Sequence, residues 1–445
     1  MKNLIKKSFL MALFTSMLTV VTAQQWDYLG SAAFSEAQSS YTDVATYNGE
    51  VYVVYRDAAY DKKVSVMKFN GNNWVPVGNL GFSPDEVSDT KIAIDNSGVV
   101  YVAFKDDAVF NRPTVMKFEN NIWSSIGDGV GGHTADYLSL EIHGGVVYLA
   151  FQKENEKAVV MKYTGSWEYM GNENGISAGN ARYLSLAVNE STGEIYLGYQ
   201  DNYTLQQKAT VRKYDGTDWI NIGLPSFTEE DAPFVSLDIS SSGMPYIAFK
   251  QNYSGTLGVM SFDGSDWNQV GTVTSGQTVS DVSLEMINNT PFVAFVGTPN
   301  KASVLTFDGD EWVFVGESGF TEEYVDYTSL VADNNSNLFV AFTEGSSLGS
   351  KASVKTFETG LSAISNYSTG EITVFPNPAT NKINIDLSEL NNVDIRIIDI
   401  SGKTLFYKEN INQKLLSLDL DFTPNIYILQ IVSEEKSYVI KLIIQ

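Results

Sequence analysis

The chain has no cysteine in 445 residues. Disulfides, thiolate metal sites and cysteine nucleophiles are excluded together, so the fold must be held by packing or by closure of its own parts. Histidine occurs only at His133 and His143, and both are expected at solvent-exposed turns. No paired-histidine metal motif, G-x-S-x-G elbow or G-x-x-x-x-G-K-[ST] phosphate loop is present, and a nucleophilic triad has little support. Basic residues are also short in number, at 29 against 53 acidic ones, for a net charge of -24. Phosphate backbones need clustered Lys and Arg, so nucleic acid is excluded as a partner. The deficit is concentrated in residues 24–372, which hold 19 basic and 44 acidic residues. Such a surface keeps a protein dispersed, and a monomer is expected. No D-x-[DN]-x-[DN]-G calcium loop with its terminal Glu occurs, so neither a metal nor a cofactor is expected.

Long apolar runs are missing too. The longest is Phe9–Val21, which follows Lys2, Lys6 and Lys7 and precedes Val21-Thr22-Ala23. Thirteen residues are too few to span a bilayer comfortably. A basic start, a short apolar stretch and small residues before a cleavage point make residues 1–23 a secretory signal peptide.

What the chain has in abundance is aromatic residues and a repeat. Aromatics reach 12%, enough with the β-branched residues to favour sheet over helix. Seven tryptophans, at 26, 74, 123, 167, 219, 267 and 312, each open a W-x-x-φ-G motif (φ apolar), from WDYLG to WVFVG. Three more elements recur between them. The first is an alternating stretch such as YLSLEI (137–142), FVSLDI (234–239) or DVSLEM (281–286). The second is an apolar run such as VYVAF (100–104), and the third a run such as PTVMKF (113–118). Alternation over four to eight residues reads as strand, and self-similarity at 40–50 residues reads as a repeat array. Gly-containing turns, such as Asn48-Gly49 and Asp263-Gly264, fall where tight hairpins require positive φ.

Four short strands per unit and seven units predict an all-β fold, a seven-bladed β-propeller over 24–360. The first Trp strand precedes every other element, and the last unit, ending at Phe357, has none after it. Trp26–Gly30 is therefore expected to complete the seventh blade, removing an open edge. The repeated Trp reads as an inter-blade core residue. The pattern resembles β-propeller repeats broadly, without the signatures of WD or kelch repeats.

After a linker over 361–372 the composition changes. Residues 373–445 read as a small β-sandwich, with a Pro-Asn-Pro entry turn and a Ser401-Gly402 hairpin. Phe375-Pro376-Asn377-Pro378, Asn381-x-Ile383-x-Ile385, Asp399 with Gly402-Lys403, and Tyr427-Ile428-Leu429 with Lys441-Leu442-Ile443-Ile444 resemble the type A C-terminal sorting domain of the Bacteroidetes type IX secretion system. Asn425-Ile426 departs from the family, which usually places Gly just before the aromatic residue. The resemblance implies export through the type IX machinery, with Pro376, Asn377, Pro378, Gly402 and Lys403 as sorting-motif residues, and release or attachment at the outer cell surface.

Candidate binding residues come from position in the repeat. The residue just before the innermost strand is aromatic in five units, Tyr41, Tyr137, Tyr183, Phe234 and Tyr327, and Asp89 or Asp281 in the others. If these ring the channel mouth they can stack on sugars or peptide side chains; otherwise they pack between blades. A second position, after the second strand, holds Arg56, Lys105, Gln152, Gln200 and Lys250 in the first five units and predicts a more basic side of the mouth. SFDGSDW (261–267) and TFDGDEW (306–312) are similar to the Asp-box of sialidases but one residue short, and their Asp residues read as turn formers. No catalytic residue is expected. The leading expectation is a binding propeller for an extracellular glycan or protein. The alternatives are a carboxylate-based glycan-cleaving enzyme, for which no converging Asp/Glu pair is evident, and a structural or adhesin role.

Overall fold

The computed structural model describes residues 25–359 and 372–444, apart from 128–129, 132–133, 203–205, 274–275, 388–389, 391, 400–403, 424 and 434–436. Residues 1–23, read above as a signal peptide, the linker to residue 371, His133, Gly402 and Lys403 lie outside the described residues.

Seven four-stranded antiparallel sheets form the propeller. In the first blade the strands run Ser39–Tyr47, Glu50–Asp57, Lys63–Phe69 and Trp74–Pro76, from the channel outward. Second strands are buried on both faces, as in Glu50–Asp57 and Leu338–Glu344, which explains their continuous apolar runs. The ring closes as expected. Asp27–Tyr28 is the outermost strand of the seventh blade, with Asp27 opposite Thr356 and Tyr28 opposite Lys355.

The W-x-x-φ-G motif turns out to be the joint between blades. Every Trp indole N–H donates to the carbonyl of the φ residue in the preceding blade. Trp74 reaches Leu29 at 2.8 Å, Trp123 reaches Val77 at 2.8 Å and Trp219 reaches Met170 at 2.8 Å. Trp26 closes the circuit on Val315 at 2.7 Å. The motif glycine has positive φ, and the next blade's aromatics fill the space where a Cβ would stand. At Gly78 a Cβ would lie 2.6 Å from Phe118 and 3.0 Å from Trp123. Each Trp also meets the aromatic residue that ends its neighbouring strand, as in Phe118–Trp123 at 5.2 Å, and Phe82 stacks on Trp123 at 3.9 Å.

The C-terminal unit is two sheets over one core. Thr373–Phe375, Lys382–Asp386 and Leu415–Asp419 form one; Val393–Ile398, Thr404–Ile411, Asn425–Val432 and Ser437–Ile444 form the other. Alternate residues Ile383, Ile385, Ile395, Ile397, Leu429 and Leu442 are fully buried between them. Asn377 carries the Pro-Asn-Pro turn onto the final strand, its side-chain oxygen accepting from Ile443 N at 2.9 Å. The Pro-Asn-Pro turn and the final strand thus meet at one place in space.

Candidate functional site

The innermost strands surround a channel of about 770 Å³. Its mouth is built from the seven equivalent positions singled out in the repeat: Tyr41, Asp89, Tyr137, Tyr183, Phe234, Asp281 and Tyr327. All seven have left-handed backbones, with φ between +48° and +59°. In six blades the strand register slips at this point, as between Ser40 and Asp43 or Arg182 and Ser185. Such a bulge ordinarily carries glycine at its left-handed residue, because a Cβ there is strained. A bulky aromatic in that conformation costs on the order of 1–3 kcal/mol and persists only where neighbours hold it.

Those neighbours are visible. Thr42 donates to the Tyr327 carbonyl at 2.5 Å, Thr90 donates to the Tyr41 carbonyl, and Thr328 donates to the Asp281 carbonyl at 2.7 Å. The two mouth aspartates accept from the next blade's backbone, Asp89 from Leu138 N at 2.7 Å and Asp281 from Tyr327 N at 3.0 Å. Burial raises the pKa of both carboxyls above the ordinary carboxylate range. The aspartates divide the aromatics into two arcs. Tyr137, Tyr183 and Phe234 touch in sequence at 5.2 and 5.1 Å, and Tyr327 meets Tyr41 at 4.9 Å. Their rings are half-buried, with 37% of Tyr327 exposed. Tyr137 and Tyr183 pack against the inter-blade core, and all five line the channel.

Below the mouth lies a polar collar of Asp43, Lys91, Ser139, Ser185, Ser236, Ser283 and Ser329. Four of its serine oxygens accept from the following blade's backbone, Ser139 from Leu186 N and Ser185 from Leu237 N at 2.9 Å each, Ser236 from Leu284 N at 2.9 Å and Ser283 from Leu330 N at 3.0 Å. Ser329 donates to Asp43 at 2.7 Å, and Asp43 accepts from Ile92 N at 3.0 Å. Lys91 interrupts the pattern. Burial works against its charge, but Asp43, Asp89 and Asp281 together hold its pKa above the usual lysine range.

One layer further down, Glu141, Asp238 and Glu285 face the channel opposite Ala45, Ala93 and Ala187. Burial and mutual repulsion push Glu141 up to about 8, and burial pushes Asp238 up to about 7. Glu285 is also raised by burial and by Asp238. Sequence reasoning missed this trio. Its signal was a charged fifth residue in YLSLEI, FVSLDI and DVSLEM, at a position where three other blades have Ala and one has Val.

The second predicted ring lies one strand outward. Arg56 pairs with Glu86, and Lys105 with Asp136 at 2.6 Å; Lys250 is half-buried. None of the three lines the channel. The hairpin aspartates are turn formers in this structure: Asp263 accepts from Ser265 N at 2.8 Å and Asp266 N at 2.9 Å, and Asp308 does the same for its own turn. His143 lies at the opposite end of the channel, 3.3 Å from Glu190.

Residues 373–445 match the family model of the secretion system C-terminal sorting domain. The propeller thus precedes a sorting tail, and the chain is a secreted protein of the type IX system, addressed to the cell surface or the space outside it. No curated protein matches the chain. Among solved structures it is similar to an ulvan lyase of a polysaccharide lyase family, at 12% identity and a TM-score of 0.46, over 75% of this chain and 96% of that one. The fucose-specific lectin of Aleuria aurantia aligns at 14% identity and 0.44, over 63% and 96%. A Dyadobacter fermentans protein of unknown function aligns at 13% and 0.42, over 76% and 98%. The propeller assignment rests on the seven closed sheets themselves.

Proposed function

We propose that this chain is a secreted, non-enzymatic glycan-binding propeller whose binding surface is the aromatic mouth of the channel. One observation carries the reading: five aromatic side chains are held in strained left-handed conformations around a single opening. Strain kept in five of seven repeats, where glycine would relieve it, points to a use for the side chain rather than for the turn. Half-exposed rings suit the apolar faces of sugars, and Asp89 and Asp281 between the two arcs supply acceptors for hydroxyl groups. A glycan array probed with the full chain tests this. Selective binding that disappears in the Tyr137→Ala/Tyr183→Ala double variant supports it; a blank array with folded protein moves the weight to a protein ligand.

A carboxylate-based glycan-cleaving enzyme is the second reading. It is favoured by Glu141 and Asp238, whose pKa values, pushed up by burial to about 8 and about 7, suit proton transfer. Release of new reducing ends or unsaturated products from polysaccharides, abolished by Glu141→Gln, would replace the binding reading with this one.

A further inference from the structure

The mouth positions differ in what stands beside their backbone carbonyls. In the seventh, first and second blades the residue after the mouth position is Thr, and its hydroxyl donates to the mouth carbonyl of the preceding blade. Thr328 caps Asp281, Thr42 caps Tyr327 and Thr90 caps Tyr41. In the third to sixth blades the same place holds Leu138, Leu184, Val235 and Val282, which have no donor to offer. The carbonyls left without a hydroxyl belong to Asp89, Tyr137, Tyr183 and Phe234. Their own sheets offer no substitute at this point. Asp89, Tyr137 and Tyr183 lie inside the register slips, with no residue paired across the sheet, and Phe234 precedes the first strand of its blade.

The two aromatic arcs are therefore unlike. Around Tyr41 and Tyr327 both carbonyls are spent within the protein. Along Tyr137, Tyr183 and Phe234, whose rings touch in sequence, they are not. A backbone acceptor without a donor is costly unless something supplies one. Beneath this arc, Ser139, Ser185 and Ser236 each accept a backbone N–H from the next blade, which leaves the hydroxyl proton to donate. Among the described residues lining the channel, Lys91 is the only basic one, and every other charged side chain is acidic. A carboxylate or sulfate would enter a field of its own sign.

We propose that the ligand is a neutral pyranose seated on the arc of Tyr137, Tyr183 and Phe234, with its hydroxyls donating to the carbonyls of Asp89, Tyr137, Tyr183 and Phe234. The inference rests on the glycan-binding reading above and narrows it to one side of the mouth and one class of sugar. The apolar face of the sugar ring covers the aromatic side chains, while hydroxyls at its edge reach the row of acceptors. Tyr41 and Tyr327 complete the rim without offering carbonyls to the sugar.

Val235→Thr/Val282→Thr tests the carbonyl row. Thr has nearly the shape of Val, and the added hydroxyls should cap Tyr183 and Phe234 as Thr42 caps Tyr327. The full chain is titrated by ligand-observed NMR with the methyl pyranosides of glucose, galactose and mannose, and with methyl glucuronide and galacturonide. Salt at about 150 mM screens the acidic exterior. At least one neutral pyranoside is expected to bind, and neither uronide. The double variant should weaken that binding about tenfold, in line with the loss of two hydrogen bonds, and Val235→Thr alone about threefold. Both variants should melt no lower than the wild type, because each new hydroxyl finds an acceptor. Neutral binding undiminished in the folded variants, or uronides bound as well as neutral sugars, overturns the proposal. Variants that melt well below the wild type overturn it too, since the hydroxyls would then have found no carbonyl. In these cases the glycan reading stands if Tyr137→Ala/Tyr183→Ala abolishes binding. Failure of every neutral pyranoside overturns the proposal alone where the glycan array shows a ligand, and the glycan reading with it where the array is blank.

Discussion

Tyr183 carries the mouth's physical logic in one residue. Its φ is +51°, a conformation that L-residues with a Cβ adopt at a cost, and its ring sits between Tyr137 and Phe234. Replacing it separates backbone strain from side-chain use. Tyr183→Ala keeps the strained Cβ and loses the ring, whereas Tyr183→Gly loses both; denaturant unfolding should find the Gly variant more stable than the Ala variant by about 1 kcal/mol. Equal stabilities would mean that the left-handed backbone is not strained. Glu141 is read the same way, with pH as the probe. Burial pushes its pKa from 4.5 up to about 8, so the folded state holds a proton that the unfolded chain gives up first. Stability on this account is fully present below about pH 4.5 and declines as pH rises towards 8. Glu141→Gln should therefore match the wild type at pH about 4 and melt at a higher temperature at pH about 9. A variant less stable at both pH values would contradict the buried-acid assignment.

At the scale of elements, the joints between blades decide stability. The motif glycines combine positive φ with direct contact from the next blade, so Gly78→Ala meets both Phe118 and Trp123. A loss of about 2 kcal/mol or more is expected in thermal or denaturant unfolding. Gly71→Ala is the control: its φ is positive too, but nothing lies within 4 Å of the added Cβ, so the loss should be smaller. This level was also the most legible in the sequence. Tryptophan spacing exposed the repeat, because a residue that must reach the preceding blade's carbonyl recurs once per blade. The surplus Trp strand at the start exposed the ring closure, because one edge lacked a partner. The channel was legible only in part. Position in the repeat singled out Tyr41, Tyr137, Tyr183, Phe234 and Tyr327 but left open whether they ring the mouth or pack between blades, and the left-handed bulge left no trace, since its glycine signature is absent. Glu141, Asp238 and Glu285 were hidden because residues one or two repeats apart face one another only when the sheets close into a ring. The outward placement of Arg56 and Lys105 follows from their second-strand position, and their partners Glu86 and Asp136 sit at or just before the start of the next blade's innermost strand.

For the whole molecule, architecture and address are separable. The tail holds its own core and its motif is knitted to the last strand by Asn377. Removing residues 373–445 should leave the propeller within the cell envelope, seen by fractionation and immunoblot, while the intact chain reaches the surface or medium; equal export of both would contradict a sorting role for the tail. The acidic body and the two-ended channel then present one aromatic and one acidic opening on opposite faces of a rigid ring. The central claim is that the aromatic mouth binds glycan, and it is tested most directly by titrating the strongest array ligand into the wild type and into Tyr137→Ala/Tyr183→Ala, with melting curves alongside. The account predicts affinity at least about tenfold lower in the variant, at about 1.4 kcal/mol per tenfold, with folding retained. Undiminished affinity in a folded variant would contradict it.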